Sequence, residues 1–163
     1  MLELDPAPIL ERTALISAVA ERRRAGETII LANGCFDLFH VGHLRYLQGA
    51  KALGGTLVAA VNSDRQARAM KGEGRPFVPQ NERAEIIAAL RCVDLVTIFD
   101  EPTVEHIIYA IRPDIHTKGT DYTAETVPER DIMREIGGKV IIVGDPKEHS
   151  STEIIRSIGV HKI

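Results

Sequence analysis

Apolar residues along this chain follow two alternating rhythms: short unbroken blocks, and longer stretches where they recur every three or four positions. The blocks predict strands over 28–32, 56–62, 95–99, 114–118 and 139–143. The spaced stretches predict helices over 7–24, 42–53, 79–90, 103–111, 128–136 and 152–158. Gly54-Gly55 and Gly137-Gly138 end two of these, and Pro102 precedes a third. Strand and helix in that order imply right-handed βαβ crossovers. The strands hardly alternate with polar residues, so both sheet faces are expected to be covered. The expectation is an α/β, Rossmann-like, doubly wound sheet, mainly parallel and five-stranded, with helices on both faces. The segment 64–80, containing KGEGRP, is the longest one without clear periodicity.

Length and charge narrow the class. The chain has 163 residues, 44% hydrophobic and 26% charged, enough for a single domain with its own core and unlike a disordered segment. The division expected is a helical extension over 1–26 and a core over 27–158, within one domain spanning 1–163. A net charge of −3 lacks the basic excess that nucleic-acid binding needs. No apolar run approaches the roughly 20 residues of a membrane span, so no membrane partner is expected. The beginning, MLELDPAPIL, is acidic and broken by proline where a secretory signal would be basic and then apolar, which points to the cytoplasm. Cys35 and Cys92, in no CxxC spacing, suit that compartment.

The stretch Asn33 to His43, NGCFDLFHVGH, begins where the first strand stops, and doubly wound sheets bind ligands beyond such carboxyl ends. With a helix beginning near Gly42, His40 and His43 would converge on one ligand. Zinc is one reading, but only Asp37 and Cys35 are near and no HExxH or paired-cysteine pattern is present. Cys35 with a histidine base is another, without a supporting local signature. The third is an anion site, in which free N–H groups at the helix start, close approach at Gly34 and Gly42, and two imidazoles serve a phosphoryl group. Plain capping and packing is the fourth.

Read with its flanks, the stretch contains GxFDxxHxGH, which resembles the defining motif of the cytidylyltransferase-like nucleotidyltransferases. Further similar segments follow in order: LGGTLVAAVNSD, MKGEGRPFVPQNER, ALRCVD, HTKGTDY and HSSTEIIRSI. The resemblance covers roughly 27–158 and implies an HxGH-type catalytic core. The combination KGxxRPxxPxxxR, KGxDY and a terminal SST resembles the branch that makes ADP-heptose. By that resemblance ATP and D-glycero-β-D-manno-heptose 1-phosphate are the substrates, for lipopolysaccharide core synthesis. Glycerol-3-phosphate cytidylyl transfer and a non-catalytic nucleotide-binding module stay as alternatives.

The resemblance also implies roles. His40, His43 and Lys71 would stabilise the reacting phosphates. Asn33, Gly34, Cys35, Phe36 and Gly42 would border the nucleotide. Arg91 would contact the triphosphate, and Ser150, Ser151 and Thr152 would hold the β and γ phosphates. Lys118, Gly119 and Asp121 would line the nucleoside pocket. Asn62 and Arg75 would face the second substrate, and Asp37 would either do the same or orient a motif group. Arg83, eight positions before Arg91 on one predicted helix, is explained equally by solvation and by function. Relatives often carry an arginine shortly before the Ser-Ser-Thr run; here GDPKEH leaves Lys147 as the cation. Magnesium would arrive with the nucleotide, since no carboxylate cluster suggests a dedicated cage. A homodimer or higher homo-oligomer is the family's expectation, and the amino-terminal helix would pack on its own domain or on a neighbour.

Overall fold

The computed structural model describes residues 5–146 and 150–160. Five parallel strands form one sheet: β1 (Ile29–Gly34), β2 (Thr56–Asn62), β3 (Leu95–Phe99), β4 (Ile115–Lys118) and β5 (Lys139–Ile142), in the order β3-β2-β1-β4-β5. Seven helices connect and flank them among the described residues: α1 (Arg12–Arg24), α2 (Val41–Lys51), α3 (Asp64–Lys71), α4 (Gln80–Ala88), α5 (Glu105–Ile111), α6 (Arg130–Glu135) and α7 (Ser151–Val160). This is the doubly wound α/β architecture that the hydrophobic rhythm predicts. The chain builds outward from β1 to β3, then returns to place β4 on the other side of β1. That reversal opens a crevice at the carboxyl ends of β1 and β4.

Successive residues of a strand face opposite sides. Ile29 and Leu31 therefore join Leu15, Val19, Ile107 and Ile108 in one core layer, while Ile30 and Ala32 join Leu47, Ala84 and Ile87 in the other. Each leucine, isoleucine or valine among them, taken fully out of water, contributes roughly 1.5–3 kcal/mol. Two buried faces explain why β1 and β2 read as unbroken apolar runs.

Two elements differ from the expectation. The first helix starts at Arg12, not at residue 7. Residues 7–10 run extended along β3, where Val96 donates to the Pro8 carbonyl at 3.0 Å and Leu10 donates to the Val96 carbonyl at 2.8 Å. Pro6 and Pro8 favour extended backbone there, and the segment covers a sheet edge that would otherwise present open hydrogen-bonding groups. Behind it, α1 buries Leu15 and Val19 in the core layer that also holds α5, so the extension packs on its own sheet. The second difference is α3, inside the segment without periodicity. Ser63 caps it by accepting from the Gln66 N–H at 3.2 Å, and it buries only Gln66 and Ala67. Two buried positions in eight residues leave no stripe to detect.

Candidate active site

A cavity of about 500 Å³ lies over the carboxyl ends of β1 and β4. The starts of α2 and α7, the end of α3, the 118–122 loop and residues 143–146 complete it. The loop from β1 to α2 carries Phe36 at φ 52° and Leu38 at φ 50°, left-handed values that bulky residues rarely adopt. The Phe36 ring lies over Gly34, where an added Cβ would meet it at 3.0 Å. Glycine therefore permits the tight return of the loop.

His40 caps α2, its Nδ1 accepting the Gly42 N–H at 3.1 Å. His43 Nδ1 accepts the His40 N–H at 3.4 Å, and the two rings stack with centroids 3.8 Å apart. Because each Nδ1 acts as an acceptor, the hydrogen-bond network assigns a proton of each ring to Nε2. Burial, then the neighbouring His40 and Lys71, push the pKa of His43 down to about 3. The stacked pair thus places Nε2–H donors beside a helix start, with His43 kept neutral. Lys71, the last residue of α3, is exposed and lines the same cavity.

Asp37 is built into the scaffold. Its buried carboxylate receives Arg75 Nε at 2.7 Å and the N–H groups of Phe77 and Val78 at 3.0 and 3.1 Å. Burial raises its pKa, but the Phe77 N–H, Arg75 and the Val78 N–H outweigh it and hold the carboxyl below its ordinary value. Of the two roles expected of Asp37, orienting a neighbour is the one its contacts serve. Arg75, expected at the second substrate, is committed to this pair and lies outside the cavity lining. Its Nη2 stands 2.6 Å from Asp37 Oδ2, an ion-pair contact without hydrogen-bond geometry.

The Ser-Ser-Thr run is a cap and part of the cavity wall at once. Ser150 and Glu153 form a reciprocal capping box, at 3.2 and 3.1 Å. Ser151 Oγ donates to the Asp37 carbonyl at 2.8 Å, and Thr152 lines the cavity. Lys147 lies outside the described residues. Asn33, Gly34, Cys35, Phe36, Gly42, Asn62, Lys118, Gly119 and Asp121 all reach the cavity, as the sequence places them.

Two arginines sit elsewhere than expected. α4 ends at Ala88, so Arg83 and Arg91 do not share it. Arg91 is exposed in the turn before β3, at the amino end of the sheet and away from the cavity. Arg83 is buried rather than solvated. It donates to the Val78 and Cys35 carbonyls and pairs with Asp64 at 2.8 Å, clamping two loops and the start of α3 behind the site.

The other chemical readings lose ground. Burial pushes the Cys35 thiol up, away from the thiolate a nucleophile needs. Among the described residues, no group of three or more His, Cys, Asp or Glu side chains is arranged to hold a metal.

Sequence reasoning missed Tyr46, His116 and Glu129. Tyr46 lines the cavity with its hydroxyl donating to the Thr117 carbonyl at 2.8 Å. His116 Nε2 meets Asn33 Oδ1 at 3.0 Å, and Lys118 Nζ bridges Asn33 Oδ1 and Glu129 Oε1 at 3.1 Å each. Burial and Lys118 bring His116 down to about 3. No spacing in the sequence links Glu129 to Asn33; only the fold does.

Residues 31–157 match the cytidylyltransferase-like family. The chain belongs to that family. By class it is a nucleotidyltransferase. It is 46% identical over 157 residues to the bifunctional protein HldE of Syntrophotalea carbinolica, covering 96% of this chain and 32% of that protein. It is 42% identical over 152 residues to HldE of Geobacter sulfurreducens, covering 93% and 31%. The chain therefore spans about a third of the length of these relatives. A solved structure, the lipopolysaccharide core biosynthesis protein of Thermoplasma volcanium, superposes with a TM-score of 0.64 at 28% identity, over 75% of this chain and all of that one.

Proposed function

We propose that the chain transfers the adenylyl group of ATP to D-glycero-β-D-manno-heptose 1-phosphate, giving ADP-heptose and pyrophosphate. The observation that carries this is the stacked His40–His43 pair at the start of α2, sharing one cavity with Lys71 and the start of α7. The HldE relatives and the lipopolysaccharide core biosynthesis protein support the sugar and its pathway.

A phosphate oxygen of the sugar attacks the α-phosphorus in line, and the bond to the bridging oxygen of pyrophosphate breaks. The attacking group is largely dianionic at neutral pH, since its second pKa is about 6, so no protein nucleophile is required. Alignment and preorganised donors set the rate. His40 and His43 donate to the charge developing around the α-phosphorus, and Lys71 bridges the two reacting phosphates. The starts of α2 and α7 offer N–H groups to the triphosphate. Lys118, Gly119 and Asp121 take the nucleoside, and Asn62 faces the acceptor.

Magnesium fits as a companion of the nucleotide. Of the three lining carboxylates, Asp37 and Asp145 are paired with Arg75 and Arg45 and Asp121 is given to the nucleoside, so the phosphates themselves would supply its ligands. Bound there, it would neutralise triphosphate charge. The cytoplasm, where ATP is made, is the compartment this reaction requires. Among the described residues no helix is long and apolar enough to cross a membrane.

Pyrophosphate release, measured across ATP and CTP against the β and α anomers of heptose 1-phosphate and glycerol 3-phosphate, tests the assignment. Release confined to ATP with the β anomer is expected. Release with CTP and glycerol 3-phosphate would replace the substrates, and nucleotide binding without release would leave a binding module.

A further inference from the structure

Lys118 is a cation on the cavity wall, yet its charge is already answered. Its ammonium lies 3.1 Å from Glu129 Oε1, with the two side chains only 11% and 8% exposed. Asn33 Oδ1 receives the same ammonium and His116 Nε2, so the Asn33 amide has its oxygen fixed inward. A lysine offers only donors, which leaves no ambiguity about which amide atom faces it. Its amide nitrogen remains as the end able to serve a ligand at the cavity. Glu129 Oε2 and His116 Nδ1 are buried with no partner, a cost that buried polar groups normally avoid. Glu129 itself does not line the cavity.

Charge then divides the cavity. Lys71 follows β2 on one side of β1, and Lys118 ends β4 on the other. The β4 side carries a closed Lys118–Glu129 pair beside a neutral His116. A triphosphate gains little from a cation whose charge is cancelled, whereas an uncharged base or ribose can use oriented N–H donors there.

We propose that Glu129 is a positioning residue that makes the β4 side of the cavity the nucleoside end, by neutralising Lys118 and fixing the Asn33 amide. The proposal rests on the nucleotidyl-transfer reading and assigns its ligand orientation. Glu129→Gln would leave Lys118 as an uncompensated cation at this wall. Triphosphate groups would then be drawn toward the nucleoside end, and the nucleoside would lose its oriented partners.

The test compares adenosine and tripolyphosphate as competitors of ATP binding, in the wild type, in Glu129→Gln and in the double variant Lys118→Met/Glu129→Gln. In Glu129→Gln, adenosine should weaken on the order of tenfold while tripolyphosphate binds as well or better, a difference of about 1.4 kcal/mol between the two probes. Removing both charges of a buried pair is tolerated better than removing one, so the double variant keeps the test alive if the single one fails to fold. In the double variant tripolyphosphate affinity should return to within a few-fold of wild type, with adenosine still weakened. Equal loss of both probes in a folded variant, or no change in either, would overturn the role of Glu129 while leaving the transferase reading intact. A wild-type chain that binds neither ATP nor tripolyphosphate would overturn both.

Discussion

Ser151 Oγ donates a hydrogen bond to the main-chain carbonyl of Asp37, 114 residues away, at 2.8 Å. The carboxylate of the same aspartate receives the N–H groups of Phe77 and Val78. One residue of the loop before α2 therefore sets the position of α7 and of the 75–78 segment. Ser151→Ala removes the first tie. A loss of about 1 kcal/mol in urea unfolding is expected, with KM for the triphosphate rising by on the order of tenfold and kcat changing less. An unchanged KM would separate the start of α7 from nucleotide binding.

Asp37→Ala leaves Arg75 without its partner in a site where its side chain is 13% exposed. Breaking a buried pair from one side costs about 3–5 kcal/mol, and Asp37→Asn should cost less because its amide oxygen still accepts the Phe77 and Val78 N–H groups. Chemical denaturation of the two variants checks the order. Equal losses would mean that the charge of Asp37, rather than its acceptor role, holds the loop.

His43 and His116 titrate at about 3 in the fold, against about 6.5 in an unfolded chain. Below 6.5 the unfolded chain takes up protons that the fold refuses, so stability present above that pH is lost as pH falls toward 3. The slope is about 1.4 kcal/mol per pH unit for each such histidine. Carboxylates contribute chiefly below about 4.5, which leaves pH 5–6 as the histidine window. His116→Gln should flatten the stability profile there, since His116 is wholly buried. A profile as steep as that of wild type would assign the slope elsewhere.

Arg91 stands at the amino end of the sheet, the edge opposite the cavity. Arg91→Ala should leave turnover within about twofold of wild type, the range of an ordinary surface substitution. A large loss with the fold retained would mean that the triphosphate reaches much farther than this cavity.

The sheet and its crevice were legible because two buried faces force unbroken apolar strands, as in β2, whose bounds the pattern predicts residue for residue. The meeting of His40 and His43 was legible because GxFDxxHxGH crowds both rings into one helix start. α3 was hidden because it buries two residues, and the start of α1 was misplaced because Ile9 and Leu10 fit a helical spacing while pairing along β3. Arg83 and Arg91 could not be sorted by spacing alone: where α4 stops decides that one clamps loops and the other meets solvent. The Asn33–Lys118–Glu129 network was invisible because the pairing of β1 with β4 brings Asn33 to Lys118 and the 119–129 segment folds Glu129 back onto them.

The proposed transfer requires that the stacked histidines act on the reacting phosphates. Its most direct test is steady-state turnover of His43→Ala with ATP and heptose 1-phosphate, alongside thermal unfolding. Loss of one preorganised donor predicts a fall in kcat of on the order of 10²-fold or more in a folded variant. Turnover within a few-fold of wild type in a folded variant would remove His43 from the reaction.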